Sequence, residues 1–454
     1  MDQMIHTLID SYRDELVATL ARWIGVPSVK EAPAPGAPFG VEVRRMLDMA
    51  MADAAAMGFP ARDFDGYACD MTLGDAAEAV AVLGHLDVVP AGDGWQTPPF
   101  TAVIEGDRII GRGSIDDKGP ALAALYAMRA IKEAGVPLKK SIRMILGCDE
   151  ESGWEDMAYY AAHAEMPDVG FSPDASFPII NTEKAMLHAF ITAPVAGEGL
   201  RVKQLWTGER VNVIPGECKA LLEGGAELAE RIAAYAGKVN LPYTAEVTAE
   251  GVWVTAEGIP GHSAYPEGRR NAIGMMLLLL KELGVQGALL TLANAYGMES
   301  DGASLGCACE DEVSGPLTCN MGILHLENGA ITASLDMRVP VTADLDQLEM
   351  NARAALEGFT FLHVEKKEPH HVPAESELVS QLLAAYHEES GLEAYPTSTG
   401  GGTYAKVLKQ GVAFGAAFPD DEDLAHQAGE YASISGLMKA AKIYANALVR
   451  LCAE

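Results

Sequence analysis

Five short stretches of this 454-residue chain gather the side chains that could do chemistry. "AVAVLGHLDVVPAGDGW" sets His85 and Asp87 two positions apart, where an apolar strand runs out. Residues i and i+2 of a strand project from one face, so an imidazole and a carboxylate are aimed together. "GRGSIDDKGP" places Asp116 and Asp117 between glycines, ahead of a helix. "ILGCDEESGW" ends another apolar run in Asp149, Glu150 and Glu151, and "VGFSPDASFP" carries Asp174 after a short strand. "DLAHQAGEY" puts His426 just ahead of the last helix. Each has an ordinary explanation when taken alone: a hydrogen-bonded loop histidine, an aspartate pair capping a helix, a run of solvated acids. Together these explanations weaken, because ligands of open α/β sheets gather outside the carboxyl ends of the strands. Carboxylates crowded there repel one another unless a cation lies among them. Histidine with several carboxylates is a donor set for zinc or a similar divalent ion, and two such ions can share a bridging carboxylate.

The elements that must position these residues follow a recognisable order. Up to about 185, strand-like and helical stretches alternate, as α/β folds do. "EAVAVLG" and "SIRMILGC" read as central strands, and "PALAALYAMRAIKEAG" as a helix with proline in its first turn and a stop at Gly135. The start, with Ile5, Leu8, Ile9, Tyr12, Leu16 and Leu20 on one face, reads as an amphipathic helix. Between 186 and 370 the texture changes: "AMLHAFITAPV", "KALLEG" and "ITASLDMRVPV" are strand-like, with helix candidates at 226–236, 271–283 and 344–356. After Pro373 a helix, a short strand "GVAFGAAF" and a final helix over 431–449 are expected. The simplest arrangement is an α/β domain over 1–185 and 371–454, interrupted by an inserted α+β domain over 186–370.

Bulk properties narrow the partners. The formal charge of -31 opposes binding to nucleic acid or to an anionic membrane surface. The longest apolar run, "AIGMMLLLL", is far below the roughly 20 residues needed to span a bilayer. The start lacks a basic leader and a small-residue cleavage site. Seven cysteines without framework spacing suit a reducing compartment, so the expected setting is cytoplasmic. Cys307, Cys309 and Cys319 could form a thiolate metal site, but no fourth ligand is evident, and they read as ordinary thiols.

"GHLDVVPAGDGW", "GRGSIDDKGP", "DEESGW", "SPDASFP", "STGGGTYA" and "HQAGEY" stand in the order and rough spacing of a known group. Through these six motifs, over essentially its whole length, the chain resembles the dinuclear-zinc metallopeptidase superfamily. That group holds aminoacylases, carboxypeptidase G, succinyl-diaminopimelate desuccinylase and carnosinase-type dipeptidases. Within it the chain most resembles the bacterial Xaa-dipeptidase (β-Ala-Xaa dipeptidase) branch.

The resemblance implies a zinc-exopeptidase-like mixed-sheet catalytic domain and an inserted α+β lid. It implies two Zn²⁺ per chain, with Mn²⁺ or Co²⁺ as substitutes in so carboxylate-rich a site. Asp116 is the implied bridge, preferred over Asp117 because relatives with one acid in this loop have it just before x-K-G. His85 and Asp174 are implied for one ion, Glu151 and His426 for the other. Asp87 is expected to hold the His85 imidazole in one tautomer, and Glu150 to act as general base. In the insertion, His262 of "GHSAYPEG" is the implied oxyanion donor. Asn212 is an implied substrate contact, Arg338 an implied carboxylate grip, and Gly401 and Gly402 an implied backbone anion site. The expected partner is a small peptide substrate. A monomer is expected, since that branch typically carries a lid large enough to fill the place of a second subunit's lid.

The main expectation is therefore a metal-dependent dipeptidase. An N-acyl-amino-acid amidohydrolase of the aminoacylase or desuccinylase type is the same-class alternative. An inactive metal-binding scaffold is the other-class one, and Glu150 weighs against it, because a scaffold needs no base beside its ions.

Overall fold

A computed structural model describes residues 2–195, 199–422 and 424–453. The chain folds into two compact units: one of Met1–Asn181, His371–Thr397 and Gly402–Glu454, the other of Thr182–His370 and Ser398–Gly401.

The first unit is built on a mixed sheet. Its middle strands, Ser141–Gly147, Ala79–His85, Val169–Ser172 and Gln410–Ala413, lie side by side and parallel. Ala68–Leu73 and Arg62–Phe64 extend the sheet antiparallel beyond Ser141–Gly147. The near-continuous apolar character of Val80–Leu83 and Met144–Leu146 is what strands buried on both faces require. Helices Lys118–Glu133 and Ile434–Cys452 are buried along most of their length and join one core with Trp23, Phe171, Phe414 and Tyr444.

The expected helices form, with two local differences. The amphipathic start is two helices, Asp2–Ser11 and Arg13–Ile24, with Ile5, Ile9, Leu16 and Leu20 buried. The division falls at Tyr12, whose own backbone stays in the helical region. The last helix begins at Ile434 rather than 431, because Tyr431–Ser433 pairs as a strand with Arg108–Ile110. Ser433 then caps the helix by accepting the Gly436 N–H at 2.9 Å.

The second unit carries an all-antiparallel sheet. In order across it lie Tyr243–Val247, Val252–Glu257, Glu217–Leu222, Val202–Thr207, Leu324–Glu327, Ala330–Val339, Ala185–Pro194 and Thr360–Lys367. Helices Ala226–Val239, Ala272–Glu282 and Leu345–Ala355 contribute to its separate apolar core. Asn271 caps the second of these by accepting the Ile273 and Gly274 N–H groups. Among the described residues, no helix is long and apolar enough to cross a membrane.

Candidate metal centre

The carboxyl ends of three parallel strands deliver His85, Glu151 and Asp174, and loops ahead of a helix and of the strand Tyr431–Ser433 deliver Asp116 and His426. His85 is the last residue of its strand and 1% exposed. Its Nε2 lies 3.0 Å from Asp116 Oδ1 and 3.5 Å from Asp174 Oδ2. The other Asp116 oxygen, Oδ2, lies 2.9 Å from His426 Nε2, which is 3.0 Å from Glu151. Two triads result, His85–Asp116–Asp174 and Asp116–Glu151–His426, each with its donor atoms within 4.8 Å of one another. Asp116 belongs to both and offers a different oxygen to each side.

The donors are imidazole and carboxylate, without a thiolate, which suits zinc or a harder divalent ion. The electrostatics also favour positive charge. Burial and the Asp116 carboxylate push Glu151 up to about 7. Burial likewise raises Asp174, with the Asp116 charge adding to it. Burial would depress the two imidazoles, yet the surrounding carboxylates outweigh it: His85 rises well above its usual value and His426 to about 11. A crowd of acids that draws protons onto its histidines is a site built for cations.

Supporting groups hold these donors in place. His85 Nδ1 donates to the main-chain oxygen of Asp87 at 3.0 Å, whereas the Asp87 carboxylate is 3.5 Å away. Asp87 thus faces the Nδ1 side of the ring, with its carbonyl nearer than its carboxylate. That carboxylate instead accepts the N–H groups of Glu150 and Glu151, each at 3.2 Å. Asp117 stays out of both triads; its Oδ2 accepts the His85 N–H at 3.0 Å. Gly84 permits this approach, since a Cβ there would stand 2.7 Å from that oxygen. Lys118, next in the motif, is buried and donates to the carbonyls of Trp23 and Val26.

Four residues that sequence reasoning passed over complete the scaffold. Buried Glu430 pairs with buried Arg112 and accepts the N–H groups of Ile115 at 3.1 Å and Asp116 at 3.3 Å. Buried Asp156 accepts the Cys148 and Asp149 N–H groups at 2.6 and 2.9 Å and the Tyr404 hydroxyl. Three of the four lie inside motifs already quoted: Arg112 in "GRGSIDDKGP", Tyr404 in "STGGGTYA" and Glu430 in "HQAGEY". That shared location was the available signal.

Glu150 belongs to neither triad. Burial and the charges of Asp174, Glu151 and Asp116 raise its carboxyl well above the usual range, against the opposing pull of His85. A cavity of about 260 Å³ opens onto Asp116 and Asp174 and is lined further by Phe418, Pro419 and Leu424.

The second unit holds His262, Asn212, Arg338 and Gly401. His262 is exposed, on a two-residue strand paired with Val213, beside Asn212. Arg338 is buried, its guanidinium 3.0 Å from Asp336, and it donates to the Gly400 carbonyl at 2.7 Å. The Gly401 N–H donates to Thr399 Oγ1 at 3.0 Å, so that amide of the glycine run already has an acceptor. Gly402 follows where the chain re-enters the first unit. Cys307, Cys309 and Cys319 are free thiols and join no metal-type cluster among the described residues.

Peptidase family M20/M25/M40 matches residues 81–450. A Bacillus subtilis protein named "Putative dipeptidase YtjP" is 34% identical over 452 residues, 97% of each chain. A Staphylococcus aureus relative described in the same words is 32% identical over 98% of this chain and 99% of its own. Among solved structures, the dipeptidase Dug1p of Saccharomyces cerevisiae superposes with a TM-score of 0.62 at 15% identity, over 99% of this chain and 98% of that one. Human carnosine dipeptidase 1 gives 0.58 at 15% identity over 99% of both chains. At such identities the solved structures speak for the fold alone.

Proposed function

The chain belongs to peptidase family M20/M25/M40, and from that premise we propose that it is a metal-dependent dipeptidase acting on unblocked dipeptides. The observation that carries the proposal is Asp116, one carboxylate shared by two ligand triads at the ends of parallel strands. His85, Asp116 and Asp174 would hold one Zn²⁺, and Asp116, Glu151 and His426 a second, with Mn²⁺ or Co²⁺ as substitutes. Bound there, such ions polarise the scissile carbonyl and lower the pKa of water.

The protein's own residues do the rest. Glu150, fixed through its N–H by Asp87 and left out of both triads, takes a proton from the attacking water on its carboxylate. It then delivers that proton to the departing amine. His262 is assigned as donor to the oxygen that gains negative charge as the carbonyl carbon becomes tetrahedral. Arg338 presents whatever donor capacity Asp336 and Gly400 leave it to the substrate carboxylate, with Asn212 nearby. All seven cysteines are free, which suits a reducing, cytoplasmic setting.

A substrate panel on the purified, zinc-loaded protein tests this. Unblocked dipeptides, with β-alanyl-histidine and Xaa-His peptides among them, should turn over well. Their N-acetylated, C-amidated and tripeptide counterparts should be slower by orders of magnitude, because a charge-binding site left empty of its partner is costly. A higher kcat/KM on N-acetyl or N-succinyl amino acids than on any dipeptide would replace the dipeptidase with an amidohydrolase.

A further inference from the structure

His262 is exposed, yet the residue after it is 1% exposed and anchored in the second unit. Ser263 Oγ donates to Asp336 Oδ2 at 2.5 Å, and the Ser263 N–H donates to the Asn212 carbonyl at 3.0 Å. Asp336 is fully buried on Ala330–Val339, where it also meets His188 Nε2 at 2.9 Å across the strand pair and Arg338 at 3.0 Å two residues along. Burial would raise the Asp336 carboxyl, but His188 and Arg338 outweigh it and hold it down to about 2. The carboxylate therefore stays charged and gives Ser263 a strong acceptor.

The turn that follows sets the chemistry of the imidazole. The Ala264 N–H donates to His262 Nδ1 at 3.2 Å, and the Tyr265 N–H donates to the His262 carbonyl at 3.1 Å. A ring nitrogen that accepts from a backbone N–H carries no proton, so neutral His262 has its hydrogen on Nε2. An oxyanion donor needs that hydrogen.

We propose that Ser263 and Asp336 are positioning residues for His262: their hydrogen bond clamps the 262–265 turn to the sheet and thereby fixes the Nε2–H tautomer and its direction. The same carboxylate holds Arg338, so the assigned oxyanion donor and the assigned carboxylate grip share one anchor. The inference rests on the role given to His262 under the proposed function.

Ser263→Ala, Ser263→Thr and His262→Ala test it, assayed on a good dipeptide with the zinc-loaded protein. Ser263→Ala should lower kcat by roughly tenfold or more, the loss expected for one hydrogen bond to a charged group, with KM within about twofold. Ser263→Thr keeps the hydroxyl and should recover most of that loss. Histidine ring ¹⁵N shifts, with His262 assigned by difference against His262→Gln, should show the Nε2–H form in the wild type and a mixture of tautomers in Ser263→Ala. Unchanged kcat and unchanged shifts in Ser263→Ala would overturn the inference. So would kcat and KM changing together with the shifts unmoved, the mark of a merely structural serine. Wild-type kinetics in His262→Ala would overturn the reading beneath it, and the ring shifts alone would then decide whether Ser263 sets the tautomer.

Discussion

Asp87→Asn changes almost nothing in shape and removes one charge. In the wild type, Oδ1 accepts the Glu150 N–H and Oδ2 the Glu151 N–H, both at 3.2 Å, and the residue is 1% exposed. A carboxamide has a single acceptor oxygen, so one of these amides faces an NH₂ group instead. Leaving a buried donor unsatisfied costs about 1–3 kcal/mol, and the surviving bond, now to a neutral acceptor, is about half as strong. The sum is about 2–4 kcal/mol, which at 1.36 kcal/mol per decade is a roughly 30- to 900-fold change in a local opening equilibrium. Hydrogen exchange of the segment containing Glu150 and Glu151, followed by mass spectrometry, should accelerate by that factor. With Glu150 no longer fixed, kcat should fall by roughly 10- to 100-fold, since a 1 Å misplacement costs about 10²-fold. Metal content should persist, because His85 Nδ1 donates to the Asp87 main-chain oxygen, which the substitution keeps. Loss of metal with unchanged exchange at Glu150 and Glu151 would refute this division of labour.

Asp116→Asn should lower the occupancy of both ions by elemental analysis, whereas Asp174→Asn or Glu151→Gln should chiefly lower one; full double occupancy in Asp116→Asn would contradict the shared carboxylate. Glu150→Gln should keep its metal and lose at least ~10²-fold in kcat, and near wild-type turnover would remove Glu150 as the base. Glu430→Ala strips buried Arg112 of its carboxylate and should destabilise the first unit by about 3–5 kcal/mol in chemical denaturation. An unchanged midpoint would mean that Arg112 finds another partner.

The members of the two candidate triads were legible because each sits at a strand end or tight loop inside a short motif. The apolar run before His85 and the acids after Gly147 announce both the strand and its exit. What resisted reading was pairing at a distance. Arg112 and Glu430 meet across 318 positions, and Tyr404 reaches Asp156 across 248. Each alone looks like a common polar residue, and only the fold makes each the other's partner. Asp87 shows a finer limit: the sequence places its side chain near His85, but whether carbonyl or carboxylate meets the ring depends on how the chain turns after the strand. For Arg338, the "LDMR" spacing gave no hint that Asp336, on the same face of an antiparallel strand, would occupy the guanidinium. The sequence pattern starts the last helix three residues early because Tyr431–Ser433 has the composition of a first helical turn, and only pairing with Arg108–Ile110 makes it a strand.

The central claim is that hydrolysis depends on metal held by the two triads sharing Asp116, and a zinc titration of stripped protein tests it most directly. Protein freed of metal by a strong chelator, and verified by elemental analysis, is mixed with increasing Zn²⁺ while dipeptide turnover is followed. The account predicts no turnover without metal and recovery to the full rate as the second equivalent binds. Full turnover by protein verified as metal-free would contradict it.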